Sequence, residues 1–158
     1  MSNVVTEASM KEEPKDDKSY VFVYGTLLKG FGNHEHLLAR DPIHSDCFII
    51  GRMVSLGGFP GAIDIDVADG HIKGEVYEVT PFDLKRLDRL EGYRGPDSQD
   101  NMYNRVLVDV IINLPGGGEQ ILEEVYTYEW NNKYGYGKDI ISSGSWREHI
   151  KERDRRYG

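Results

Sequence analysis

Apolar and polar residues alternate in several short runs of this chain. Residues 20–24 are rich in β-branched and aromatic side chains and end abruptly at Gly25, which predicts a first strand followed by a tight turn. Residues 62–67 alternate apolar and acidic side chains with period two and predict a further strand. Because residues 69–70 are Asp-Gly, a typical hairpin turn, we expect that strand to pair with residues 71–79.

The second half of the chain contains another pair of extended runs. Residues 103–114 and 120–130 predict two strands joined through the Pro-Gly-Gly-Gly turn at 115–118. Shorter extended segments are expected at 47–50 and 52–56. Because strands and helices do not alternate regularly, the pattern favours an α+β domain with a mixed, mostly antiparallel, barrel-like sheet and two or three helices.

One segment has a helical period instead. Thr80 is placed to cap a helix, Pro81 suits the first helical position, and Gly92 fits the left-handed residue that commonly closes a helix. The leucines on one face of this helix are Leu84, Leu87 and Leu90. On a helical wheel Glu91 lies between two of these leucines, so its carboxylate is expected to point inward where the helix ends.

A carboxylate at this position has chemical consequences. Partial removal from water and the negative end of the helix dipole both favour its protonated form. Such a group is suited to proton transfer near neutral pH. The alternative, which helix geometry leaves equally open, is that Glu91 turns to the rim and is solvated or pairs with an arginine.

Two further helices and two loops complete the predicted elements. Asn33 is expected to cap a short helix that ends before Pro42, and Trp146 to open the last helix. Residues 94–101 are polar, and residues 131–145 are rich in Gly, Ser and Asn, so both are expected to be loops.

Composition limits the classes of function. The chain has 158 residues, 39% of them hydrophobic, which is enough for one domain and too few to expect two. We expect a single domain over residues 19–158, preceded by a flexible tail at 1–18 that is polar and charged. The net charge of −8 and pI of about 5.1 argue against general nucleic-acid binding.

The cysteine, histidine and hydropathy patterns predict no metal, disulfide or membrane span. Cys47 is the only cysteine, which excludes an intramolecular disulfide and is typical of a reducing compartment. His34 and His36 diverge if they lie on a helix, so no metal site is expected. No apolar run approaches the roughly 20 residues that span a bilayer, and the N-terminus lacks a signal-peptide pattern. We therefore expect a cytoplasmic protein without membrane or nucleic-acid partners.

Several short motifs occur in one order along the chain. They are Tyr24-Gly25-Thr26-Leu27, Gly58-Phe59-Pro60, Gly74-Glu75-Val76-Tyr77, Leu87-Asp88-Arg89-Leu90-Glu91-Gly92-Tyr93, Tyr103-Asn104-Arg105 and Val125-Tyr126-Thr127-Tyr128. In this combination they resemble the γ-glutamylcyclotransferase-like superfamily, especially the small-protein branch that includes the γ-glutamylamine cyclotransferases. The resemblance spans about residues 20–130 and implies the γ-glutamylcyclotransferase-like fold.

The resemblance also implies a reaction on a small γ-glutamyl substrate. In such enzymes the free α-amine attacks the γ-carbonyl, and 5-oxoproline and an amine are released. Because nucleophile and electrophile belong to one molecule, the protein needs no cofactor or metal; it folds the substrate, moves protons and stabilises an oxyanion. The alternative of a different class is a non-catalytic binding or regulatory module that keeps the cavity for a small carboxylated ligand.

Site residues follow from the resemblance position by position. The proton-transferring acid of the Leu-Asp-x-x-Glu-Gly segment corresponds to Glu91, the predicted catalytic residue. The turn after the first strand would cradle the substrate's α-carboxylate or the developing oxyanion with backbone amides. Tyr103 and Tyr126 are assigned to substrate contact, with buried structural tyrosines as the open alternative. The residues predicted for the cradle are Tyr24, Gly25, Thr26 and Leu27.

The sequence leaves the roles of two charged residues, Arg105 and Glu75, undecided. Arg105 either neutralises a substrate carboxylate or stabilises the fold through Asp88. Glu75 is a second candidate for the cavity lining, ranked below Glu91 because strand alternation leaves its facing undecided. Nothing in these residues selects the leaving amine or the oligomeric state.

Overall fold

The computed structural model of the chain describes residues 18–67, 69–135 and 139–157. The strands are β1 (Ser19–Val23), β2 (His44–Ile50), β3 (Arg52–Ser55), β4 (Pro60–Ile63), β5 (His71–Val79), β6 (Tyr103–Asn113) and β7 (Glu119–Trp130). The helices are α1 (Gly32–Leu37), α2 (Pro81–Leu90) and α3 (Trp146–Tyr157), and a short 3₁₀ turn covers Asn132–Tyr134. Except for Lys18, the expected flexible tail lies outside the described residues.

Five strands form a closed barrel in the order β1-β5-β2-β6-β7. The neighbours pair antiparallel except where β1 meets β7, and at this closure Val21 pairs with Tyr126 in a parallel arrangement. The β6–β7 hairpin runs from the Tyr103–Trp130 pair to the Asn113–Glu119 pair. The structure therefore confirms the α+β class, the mostly antiparallel barrel and the hairpin across residues 115–118.

The barrel interior is apolar because alternate residues of each strand point inward. Phe22 on β1, Val76 on β5 and Val125 on β7 are fully buried. Trp146 opens α3 as predicted, and its indole is buried. In the described part of the chain, no helix has the length and apolar character that crossing a lipid bilayer requires.

The strand and hairpin predicted for residues 62–79 are wrong in their pairing. The backbone leaves the extended conformation at Asp64 and Asp66, whose φ angles are 52° and 64°, so β4 ends at Ile63. β4 pairs with β3 in a separate two-stranded sheet, and β5 pairs with β1 and β2 in the barrel. A local turn signal does not specify the partner of a strand: β5 pairs along both of its edges within the barrel, with β1 and with β2.

Helix α2 begins and ends as predicted. Thr80 and Asp83 form a reciprocal capping box, with N–H to side-chain oxygen distances of 3.0 and 3.1 Å. Gly92 has a φ angle of 69°, in the left-handed region that favours glycine. The Glu91 N–H donates to the Leu87 carbonyl at 2.9 Å, and the Glu91 carbonyl accepts from the Tyr103 N–H at 3.3 Å. The end of α2 is thereby fixed to the start of β6.

Candidate active site

A cavity of about 370 Å³ opens at one end of the barrel. The end of β1 and the turn after it form one part of its wall, together with Asn33 of α1. The β3–β4 connection at 58–60, the end of α2 and the start of β6 supply the remainder, with Tyr128 of β7. Segments that are far apart in sequence meet here because β1 and β7 end, and β6 begins, at the same end of the barrel.

Glu91 lies in the lining of this cavity. Its side chain is surrounded by protein, and this removal from water raises the pKa of the carboxyl from its ordinary 4.5 to about 7. Among the described residues, none donates a hydrogen bond to the carboxylate or pairs with it. The structure therefore favours the inward orientation over a solvated or arginine-paired side chain, and both protonation states are accessible near neutral pH.

The turn after β1 also lines the cavity, and it depends on Gly25. A Cβ atom at Gly25 would come within 2.7 Å of the Pro60 ring, so only glycine lets the turn approach the β3–β4 connection. The Gly25 carbonyl accepts from the Leu28 N–H at 3.0 Å, which closes the turn. The N–H groups of Gly25, Thr26 and Leu27 have no acceptor among the described residues, and all three residues line the cavity.

Two side chains from α1 hold this turn. Asn33 donates from Nδ2 to Thr26 Oγ1 at 2.8 Å, so its predicted role as a helix cap is wrong; α1 begins at Gly32. The buried His34 ring places Nδ1 3.2 Å from the Leu27 carbonyl. No cluster of three or more potential metal ligands occurs among the residues that the structure describes.

Tyr24 and Tyr103 present buried phenols beside Glu91. The Tyr24 hydroxyl donates to the Tyr128 carbonyl at 2.6 Å and accepts from the Ala62 N–H at 3.0 Å. The Tyr103 hydroxyl donates to the Pro60 carbonyl at 2.5 Å. Burial raises the pKa of both phenols well above the ordinary value, and the nearby Glu91 carboxylate adds to the increase. Both phenols are therefore neutral and fixed in place.

Tyr126, which was expected to contact substrate, does not line the cavity. Its ring lies against the Arg105 guanidinium, 4.7 Å from ring centroid to Cζ. Tyr128, two residues further along β7, lines the cavity instead. The two side chains point to the same face of β7 and lie about 7 Å apart along the strand. This distance is enough for Tyr128 to reach the cavity while Tyr126 does not.

Of the two roles left open for Arg105, the structure favours the ion pair within the fold. Arg105 Nη1 lies 2.6 Å from Asp88 Oδ2, and both side chains are largely buried. The Tyr128 hydroxyl donates to the other Asp88 oxygen at 2.6 Å. Asp88 therefore connects α2 to β6 and β7.

Glu75 is buried but lies outside the cavity lining. Its carboxylate accepts from the Lys29 N–H at 2.9 Å, the Tyr77 hydroxyl at 2.8 Å and Arg147 Nη2 at 2.9 Å. The charge is thus compensated within the fold, and Glu75 attaches the loop before α1 and the start of α3 to the barrel. Strand alternation left the facing of Glu75 undecided, and in the structure its side chain lies under that loop instead of in the cavity lining.

The sequence did not indicate that several of the lining residues belong to a cavity. They are Asn33, Phe59, Leu90, Met102 and Tyr128. The motifs already contained Phe59 and Tyr128, and the helix pattern contained Leu90, but nothing local indicated that these side chains face one cavity. Barrel closure is a long-range event, and it decides which residues meet.

A known protein family is similar to this chain over most of its length. The family described as "Gamma-glutamyl cyclotransferase, AIG2-like" matches residues 21–148. The "Gamma-L-glutamyl-butirosin B gamma-glutamyl cyclotransferase" of Niallia circulans is 36% identical over 98 residues, 61% of this chain and 60% of that protein. "Gamma-glutamylaminecyclotransferase B" of Danio rerio is 30% identical over 131 residues, 73% of this chain and 65% of that protein.

Among solved structures, YkqA of Bacillus subtilis superposes with a TM-score of 0.64 and 29% identity, over 87% of this chain and 43% of YkqA. The chain thus spans less than two thirds of the length of each of these three proteins. The family match covers the barrel strands, apart from the first two residues of β1, and all the segments that line the cavity.

Proposed function

Because this chain belongs to the γ-glutamyl cyclotransferase, AIG2-like family, we propose that it releases 5-oxoproline from a small γ-glutamyl amide, with Glu91 as the general acid and base. The observation that carries the proposal is a single carboxyl group in the cavity lining whose pKa burial raises to about 7. A general acid–base group works best when its pKa lies near the working pH.

The reaction needs one group that accepts and returns protons. The Glu91 carboxylate takes a proton from the substrate's α-ammonium, and the free amine attacks the γ-carbonyl carbon. A ring C–N bond forms and the carbonyl electron pair moves to oxygen. As the tetrahedral intermediate collapses, the bond to the leaving nitrogen breaks and Glu91 returns the proton to it. The ring nitrogen then gives its second ammonium proton to the Glu91 carboxylate. Glu91 passes this proton to the released amine, which leaves as an ammonium ion.

The turn after β1 supports the binding half of the proposal. The N–H groups of Gly25, Thr26 and Leu27 face no protein acceptor among the described residues, and they belong to the cavity wall. Consecutive free amides form a concave anion site. In the proposal they hold the substrate's α-carboxylate or the developing oxyanion, and Tyr24 and Tyr103 limit the room for water around Glu91.

A product assay tests this proposal. The wild-type protein is incubated with a panel of γ-glutamyl amides, and 5-oxoproline is measured by mass spectrometry. Glu91→Gln keeps the side-chain shape, and its rate is expected to fall by at least about 100-fold, the usual contribution of acid–base catalysis. Glu119→Gln, at an exposed position on β7, is the matched control and should keep the wild-type rate.

The outcomes separate the enzyme from the alternative class. Turnover by Glu91→Gln at the wild-type rate would reject the role of this carboxylate. Saturable binding of several γ-glutamyl amides to the wild-type protein, with no 5-oxoproline from any of them, would indicate a non-catalytic binding module.

A further inference from the structure

We propose that the cavity accepts γ-glutamyl amides whose leaving amine is an apolar alkyl or aryl amine, rather than a second cation or an amino acid. This substrate class rests on the proposed function. The feature that carries it is the apolar rim, defined as Phe59, Leu90 and Met102, three exposed apolar side chains that line the same cavity as Glu91.

The apolar rim is exposed although its side chains are large and hydrophobic. The exposed fractions are 36% for Phe59, 40% for Leu90 and 42% for Met102. These residues come from the β3–β4 connection, the end of α2 and the segment before β6, and all three line the cavity. Exposed apolar side chains that converge on a concave site are typical of a ligand-binding surface.

The charges of the lining residues disfavour the other substrate classes. Among the described residues that line the cavity, Glu91 alone has a charged side chain, and the proposed reaction already uses it. A leaving amine with a second ammonium or a carboxylate would bring that charge against the apolar rim with no partner. At this exposed rim a charge would have only solvent as its partner, whereas a methylene chain gains apolar contact with the rim side chains.

The polar and apolar parts of the lining match the two ends of such a substrate. The polar part of the lining consists of the free N–H groups of residues 25–27 and the Asn33 amide, and it includes buried residues such as Leu27. The apolar rim, by contrast, is exposed. A γ-glutamyl group carries its α-carboxylate and α-amine at one end and its leaving amine at the other. When the α-carboxylate and α-amine of the substrate lie at the turn after β1, the leaving amine extends past Glu91 and lies along the apolar rim.

Aromatic contacts hold one side of the rim in place. The Phe59 ring lies 6.4 Å from the Trp130 ring, centroid to centroid, and Trp130 lies 5.2 Å from Tyr103 and 5.9 Å from Tyr134. Trp130 Nε1 also donates to the Gly135 carbonyl at 2.6 Å. A fixed aromatic surface extends from the cavity wall outward, so a leaving group longer than methyl has apolar surface to contact.

Four substrates of graded character test the inference. They are the γ-glutamyl amides of methylamine, hexylamine, 1,5-diaminopentane and 5-aminopentanoate. The hexylamide is expected to have a kcat/KM at least about tenfold above that of each of the other three, the scale on which apolar pockets discriminate. Equal or faster turnover of the diamine or the carboxylate compound would overturn the inference.

Neutral polar substitutions test the apolar rim itself. Leu90→Asn and Met102→Gln preserve side-chain size and add no charge beside Glu91. Both should lower the ratio of hexylamide to methylamide kcat/KM to within about threefold of one, from the tenfold scale expected of the wild type. Leu107→Asn is the matched control, because Leu107 is 56% exposed on β6 outside the cavity lining. A ratio that stays unchanged in both rim variants would contradict the proposed subsite.

A binding measurement separates this inference from the proposed function. Calorimetry with Glu91→Gln, or with the wild-type protein if no amide is converted, compares the Kd of the hexylamide with that of the methylamide. About tenfold tighter binding of the hexylamide supports the apolar subsite whether or not turnover occurs. Absence of product from every amide would reject the proposed function alone, and equal Kd values would reject the subsite alone.

Discussion

The Tyr128 hydroxyl donates a hydrogen bond to the Asp88 carboxylate at 2.6 Å. This contact joins helix α2 to strand β7, and Arg105 of β6 pairs with the other Asp88 oxygen. Glu91 follows Asp88 by three residues on the same helix end, and Tyr128 itself lines the cavity. The contacts of Asp88 with Tyr128 and Arg105 therefore hold the end of α2, and with it Glu91, in place at the cavity.

Asp88→Asn should destabilise the fold. The substitution removes the charge that pairs with Arg105 while the guanidinium stays largely buried, and the free energy of unfolding should fall by about 1.5 to 3 kcal/mol. Urea denaturation measures the change. Glu152→Gln breaks the exposed pair with Arg155 and should cost under about 0.5 kcal/mol. Equal losses in the two variants would show that the Asp88 contacts do not stabilise the fold.

Activity should rise with pH through about 7. The proposed reaction begins with the Glu91 carboxylate, and burial raises the pKa of this group to about 7, so the competent form becomes populated as pH increases through that value. The measurement is kcat/KM for γ-glutamyl methylamide between pH 5 and pH 8. An acid limb centred near pH 4.5, the ordinary value for a solvated glutamate, would contradict the burial of the group.

The stability difference between Glu91→Gln and the wild type should also depend on pH. Because the folded pKa of Glu91 is raised from 4.5 to about 7, the wild type loses stability as pH rises through this window, when the folded carboxyl must ionise in a partly dry site. The variant should match the wild type below pH 4.5 and exceed it above pH 7. Because the cavity is open to solvent, which screens the charge, the free energy of unfolding of Glu91→Gln should exceed that of the wild type by roughly 1 to 3 kcal/mol above pH 7.

Thermal unfolding at several pH values measures this difference. Glu119→Gln, which removes an exposed carboxylate, is the control for the general effect of losing one negative charge. A constant difference between Glu91→Gln and the wild type from pH 4 to pH 8 would rule out the pKa shift.

Gly25→Ala should disturb both stability and activity. The added Cβ would lie 2.7 and 2.8 Å from Cγ and Cδ of Pro60, and the clash pushes the turn after β1 away from the β3–β4 connection. Overpacking of this kind costs about 1 to 3 kcal/mol, and kcat/KM should fall because the free amides move. In the control Gly116→Ala, the Cβ meets no atom within 4 Å. If both variants behave like the wild type, the close approach at Gly25 is not required.

Glu75→Gln should release the loop before α1. The amide cannot accept all three hydrogen bonds that the buried carboxylate accepts from Lys29, Tyr77 and Arg147. The free energy of unfolding should fall by about 1 to 3 kcal/mol, and hydrogen exchange at the Lys29 amide should become faster. Glu78→Gln, at a half-exposed position on the same strand, should change neither. Unchanged protection of Lys29 in Glu75→Gln would show that this carboxylate does not hold the loop.

The helix that carries Glu91 is the element that local sequence predicted best. Its start depends on Thr80 and Asp83, three residues apart, and its end depends on Gly92. These interactions join residues that are close in sequence, so capping chemistry and helical periodicity are enough to predict where the helix begins and ends. The long β6–β7 hairpin is predicted for the same reason, since its turn adjoins both strands.

The choice between Tyr126 and Tyr128 lay beyond local sequence. Both tyrosines occupy the same face of β7, and only the parallel closure of β1 against β7 decides which ring reaches the cavity. The same holds for Glu75, whose partners Lys29 and Arg147 are 46 and 72 residues away. The strand predicted for residues 62–67 is shorter than its alternation pattern indicates, because Asp64 adopts a left-handed conformation and ends the strand at Ile63.

The sequence by itself determined the capped helix, the β6–β7 hairpin and the family resemblance, because each depends on residues within a few positions or on motifs in linear order. It left the inward and the solvated orientation of Glu91 equally open. Only the tertiary structure decided that the Gly25 turn, the Tyr103 phenol and the Leu90–Glu91 helix end surround one cavity. Closing a barrel brings together strand ends separated by most of the chain, and that selection follows from the total burial of all strands rather than from any local pattern.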